Sequence, residues 1–73
     1  MFEALRAWRA AEAKEQGVPA YVVFHDATLR ELAQRRPVSV EQLATITGVG
    51  EAKRERYGAR VLEVIAGPTA LAG

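Results

Sequence analysis

Cysteine is absent, and histidine, serine and tryptophan each occur once, at His25, Ser39 and Trp8. Without cysteine there can be no disulfide and no thiolate metal site. A single histidine leaves too few nitrogen ligands for a zinc centre. Nucleophilic catalysis needs a serine, cysteine or threonine beside a positioned base. Ser39 is better used as a helix cap, and His25 lies in a different connector with only Asp26 as a neighbouring partner. No catalytic residue and no cofactor is expected. Long apolar runs are missing too, and none approaches the roughly 20 residues that span a membrane. No signal-peptide pattern opens the chain, so a cytoplasmic location is expected. The net charge is only +1, which withholds a strong general attraction for nucleic acid.

What is plentiful is alanine, at 14 of 73 residues, together with leucine, glutamate and arginine, all good helix formers. A chain this short makes one domain and buries only about 60% of its unfolded surface, so its stability must come from tight packing. Met1, Leu5 and Trp8, flanked by Phe2 and Ala13, predict a first helix over 2–16. Glu12 falls on that apolar face, to meet solvent or pair with an arginine. Gly17 and Pro19 end the helix. Tyr21-Val22-Val23-Phe24 is the one strand-like run. It has no partner run, so it is expected as an extended connector pinned by Val22, Val23 and Phe24.

Asp26 or Thr28 is expected to cap a short helix to about Gln34, with Thr28-x-x-Glu31 as a capping box and Leu29, Leu32 and Ala33 buried. Ser39-x-x-Gln42 is a second capping box, opening a helix to about Ile46 with Leu43, Ala44 and Ile46 inward. The last helix is expected from Glu51 to Ala66, with Gly58, Val61, Leu62 and Ile65 on one face and Gly58 at a close crossing. These elements predict an all-α fold, a compact bundle of four or five short helices over 1–66. A flexible C-terminal tail follows over 67–73.

Charge is distributed unevenly. Lys53, Arg54, Arg56 and Arg60 face one acid, Glu55, between 53 and 60, a local +3. Arg30, Arg35 and Arg36 face only Glu31, a local +2. Between the last two helices, Gly48-Val49-Gly50 suits a tight turn whose N–H groups meet the next helix N-terminus, an arrangement that attracts phosphate. A solvated charged face beside a plain helix–helix turn would use the same residues. Tyr21 has two readings. Packing against the first helix comes first, and stacking of a nucleobase second. The candidate nucleic-acid-binding set is Tyr21, Arg35, Arg36, Gly48, Gly50, Lys53, Arg54, Arg56 and Arg60.

In order and spacing, Leu5-Arg6-Ala7-Trp8-Arg9, Gly17 through Phe24, Asp26-Ala27-Thr28-Leu29, Pro37 through Leu43, Gly48-Val49-Gly50, Lys53 and Tyr57-Gly58 resemble the HRDC family, the helicase-and-RNase-D C-terminal domain. The wording of Asp26-Ala27-Thr28-Leu29 and of Gly48-Val49-Gly50 is similar to the bacterial RecQ branch. Glu12 departs from the family's usual apolar residue. The turn also resembles a helix-hairpin-helix DNA-binding motif, with Arg54 where that motif carries a small apolar residue. The resemblance implies a helical bundle attached to a RecQ-like DNA helicase or an RNase D-like nuclease, and the RecQ branch implies an ATP-dependent DNA helicase of recombination and repair. Such a module is non-catalytic and monomeric, and it binds single-stranded or junction-like DNA weakly near the nucleoid. The alternative, favoured by the near-neutral net charge, is a regulatory module that docks on the catalytic core of the parent helicase or on a partner protein.

Overall fold

The computed structural model describes residues 1–67, and these form five helices without a strand. They are α1 (Phe2–Gln16), α2 (Ala20–Val23), α3 (Asp26–Arg35), α4 (Val40–Leu43) and α5 (Glu51–Ala66). The all-helical bundle expected from the sequence is therefore the observed fold. The expected tail at 67–73 lies outside the described residues apart from Gly67, which closes α5.

Helix α1 packs against α2, α3 and α5, and α4 packs on α5. Leu5 and Ala13 of α1, Val23 and Phe24, Leu29 and Leu32 of α3, Leu43, Ile46 and Val49, and Tyr57, Val61 and Ile65 of α5 make the core. Full burial of a side chain the size of Leu or Phe contributes about 1.5–3 kcal/mol. Three rings tie the elements together. Trp8, Phe24 and Tyr57 meet pairwise at 5.6–6.0 Å between centroids, with Tyr57 edge-on to both partners. The Tyr57 hydroxyl stays inside and accepts a 2.7 Å hydrogen bond from Gln16.

The 20–24 connector is not extended. Pro19 takes the N-cap position of a single helical turn, α2, which buries Val23 and turns Val22 out to solvent. The β-branched residues suggested an extended chain, but one helical turn satisfies local N–H groups that a lone strand would leave open. Asp26 and Thr28 are not caps either. His25 is the N-cap of α3 without a side-chain bond, and Thr28 lies inside the helix, buried, donating to the Thr47 carbonyl at 3.0 Å.

Ser39 does cap α4: its Oγ accepts the Gln42 N–H at 3.2 Å, while the Gln42 side chain reaches back to the Val38 N–H at 2.9 Å. Helix α4 ends early, at Leu43. The Thr45 and Ile46 N–H groups then bond three residues back, tightening the chain into turns and leaving Ala44 exposed. Helix α5 has the expected bounds. Gly58 is buried facing Leu43, yet a Cβ there would meet Leu43 Cδ1 at an ordinary 3.5 Å. That crossing does not require glycine. The requirement falls on Gly48.

Candidate nucleic-acid interface

Gly48 has φ +91°, and a Cβ built on it would overlap Thr28 Oγ1. The turn is thus shaped by its packing on α3. Val49 is buried, and its N–H is used by the Ile46 carbonyl. Gly50, by contrast, has φ −78° and open space around its Cα; it is the N-cap of α5. The N–H groups at this end belong to the first turn of α5, where Glu51 already supplies a carboxylate.

Residues three and four apart share a helix face, which puts Lys53, Arg56, Tyr57 and Arg60 on one flank of α5, toward α1. The Lys53 ammonium lies 5.3 Å from the Phe24 ring centroid. The Arg56 guanidinium lies over the Tyr57 ring at 5.6 Å and is exposed. Arg60 is already committed: it pairs with Glu12 of α1 at 2.5 Å. Arg54 points to the other flank, beside Val40, Glu51, Glu55 and Ala59.

The second expected cluster lies elsewhere. Arg35 pairs with Glu31 at 3.3 Å. Arg36 adopts a left-handed φ of 47° as the C-cap of α3 and lies near Leu62, Ile65 and Ala66 in the last turn of α5. A cation there complements the carbonyl end of that helix. Arg36 is therefore about 15–20 Å along α5 from Lys53, at 1.5 Å per residue. The two basic clusters do not converge.

Tyr21 does not pack under α1. It is 60% exposed and stacked on His25, with ring centroids 6.0 Å apart and planes inclined by 24°. Together with Arg9, Ala20, Asp26 and Ala27 the two rings line a shallow, open depression of about 520 Å³. Lys53 lies over the buried Phe24 ring, the residue that precedes His25 in the chain.

Two charged residues of α1 sit in the core-facing stripe, and each has a partner. Arg9 donates to the Phe24 carbonyl at 2.9 Å and to Asp26 at 2.7 Å. Glu12 accepts from Gln16 at 3.1 Å and from Arg60. Hydrogen bonds set both carboxyls below their ordinary values of 4.5 and 3.8. Gln16 acts first on Glu12, reinforced by Arg60, and Arg9 acts on Asp26. The native state therefore holds these two protons less tightly than the unfolded chain. Their stabilisation is complete above the unfolded values and is lost as pH falls through the lowered ones. Urea midpoints are expected to fall between pH 6 and pH 3, and Glu12→Gln is expected to shrink that fall. An identical fall in the variant would contradict the role given to Glu12.

These features define a class: a small helical module carrying an exposed aromatic stack and basic side chains on its α1, α3 and α5 surfaces. Among the described residues no group of His, Cys, Asp or Glu could hold a metal, and no helix is long and apolar enough to cross a membrane. The HRDC domain profile matches residues 1–65. The chain is 49% identical over 65 residues to the ATP-dependent DNA helicase RecQ of Bacillus subtilis, covering 89% of this chain and 11% of that protein. It is 48% identical over 65 residues to the ATP-dependent DNA helicase UvrD2 of Mycobacterium tuberculosis, covering 89% and 9%. Its fold matches the HRDC domain 3 of Deinococcus radiodurans RecQ with a TM-score of 0.87 and 46% identity, over 99% of this chain and 92% of that one. The chain belongs to the HRDC family. It spans about a tenth of the length of these helicase relatives.

Proposed function

We propose that this domain is an accessory module of an ATP-dependent DNA helicase of the RecQ type, binding single-stranded or junction-like DNA weakly in the bacterial cytoplasm and leaving catalysis to its parent. The observation that carries this reading is Tyr21, a large ring left 60% exposed and stacked on His25. Aromatic platforms with nearby cations hold successive bases of a single strand without sequence preference. Of the basic residues on the flank of α5 toward α1, Lys53 and Arg56 have no ion pair among the described residues, whereas Arg60 is neutralised by Glu12. The α5 contribution is thus two phosphates.

Titration of the isolated domain with fluorescent oligo-dT at several salt concentrations tests this. Lys53→Ala with Arg56→Ala is expected to weaken binding to all sequences alike and to make the log–log salt slope shallower by about 1.4. Affinity should lie at or above ~10⁻⁶ M at physiological salt. Unchanged affinity and slope in the double variant would remove α5 from the interface.

A second reading is regulatory docking on the catalytic core of the parent. It is favoured by Val38 and Val40, exposed at 77% and 52%. Val38 edges an apolar groove formed with Pro37, Leu62 and Ile65, away from the Tyr21 shelf. A tethered contact of this kind gains from high effective concentration, so it can act despite low intrinsic affinity.

A further inference from the structure

We infer that Arg6 of α1 and Arg30 of α3 form a second phosphate-binding site for the same strand, continuing the Tyr21–His25 shelf along the α1–α3 face. This rests on the nucleic-acid reading above. The two guanidinium groups are 24 positions apart in the chain, yet lie 6.0 and 5.8 Å from the centroid of one ring, Phe2. Both residues are exposed. Arg30 has no ion pair among the described residues, and Arg6 has only an exposed contact with Glu3 at 3.5 Å. Such surface pairs are worth little and yield readily to a better anion.

Planar guanidinium forks match phosphate oxygens two at a time, which a lysine does not do. The strip between this pair and the shelf is electrostatically prepared. Its carboxylate, Asp26, is consumed by Arg9 at 2.7 Å and also feels the positive charges of Arg30 and Arg6. Asp26 lines the shelf with Tyr21 and His25, and Arg30 follows it by one helical turn, as Arg9 follows Arg6. A base on the Tyr21–His25 stack would therefore have a neighbouring phosphate toward Arg30 and Arg6.

Four contacts in place of two set the expected salt slope of the unaltered domain near −2.8, against about −1.4 for α5 alone. In oligo-dT titrations, Arg6→Gln with Arg30→Gln is expected to weaken binding several-fold and to bring the slope back to about −1.4, with Tm within about 4 °C of the parent. Arg6→Lys with Arg30→Lys should keep most of the slope. Unchanged affinity and slope in the glutamine variant would overturn the site while leaving the α5 and Tyr21 interface standing. Loss of binding only in step with a lowered Tm would assign the arginines to holding Phe2 and would also overturn it. If the unaltered domain does not bind oligo-dT even at low salt, both this site and the functional reading fall.

Discussion

Gly48→Ala is expected to lower Tm by about 12–24 °C, whereas Gly50→Ala is expected to cost no more than a few degrees. The two glycines flank one buried valine and look equivalent in the sequence, but their surroundings differ. At position 48 a non-glycine residue must hold φ +91°, a strain of about 1–3 kcal/mol. Its Cβ would also enter the space of Thr28 Oγ1, on a short β-branched side chain fixed inside α3 and bonded to the Thr47 carbonyl. Overpacking of that kind costs about 1–3 kcal/mol. A total near 3 kcal/mol, at about 4–8 °C per kcal/mol for a domain this size, gives the stated range. At position 50 the backbone is ordinary and nothing lies within 4 Å, so only the N-cap preference changes, by under about 1 kcal/mol. Thermal unfolding followed by helical circular dichroism checks the contrast. Equal losses at the two positions would contradict the packing described for this turn.

The second large effect concerns binding. Tyr21→Ala is expected to reduce oligo-dT affinity by about 1–3 kcal/mol, some 5- to 150-fold, because a stacked base loses its platform. Tm should barely move, since the ring is 60% exposed and its contact is the similarly exposed His25. Tyr21→Phe should retain binding, as the π face remains. A variant that loses Tm and keeps its affinity would return Tyr21 to a packing role.

Residues whose structure depends on near neighbours were legible in the sequence. Helix α5 runs from a glycine to a glycine with apolar residues every third or fourth position, and its expected bounds are the observed ones. Ser39 announced its cap through the Gln42 spacing. Residues whose role depends on distant chain were not. Thr28 has the spacing of a capping box, but its hydroxyl serves Thr47, 19 positions away. Glu12 pairs with an arginine, one of its two expected readings, but which arginine was hidden because Arg60 arrives 48 positions later. The same reason splits the candidate site. Charge counted along the chain grouped Lys53 with Arg54 and Arg30 with Arg35 and Arg36, whereas the fold separates each group. It then joins Arg30 to Arg6, a pairing that exists only once α3 lies on α1. Tyr21 was visible as an unusual loop aromatic; its exposure follows from α2, the turn that local β-propensity concealed.

The central claim is that the face bearing Tyr21 binds single-stranded DNA. Backbone amide shifts of the isotopically labelled domain, followed while short oligo-dT is added at low salt, test it most directly. Saturable shifts are expected, concentrated at Tyr21, His25 and Asp26 and extending to Lys53 and Arg30, with the α3–α5 groove around Val38, Leu62 and Ile65 unaffected. Shifts confined to that groove, or none that saturate, would contradict it.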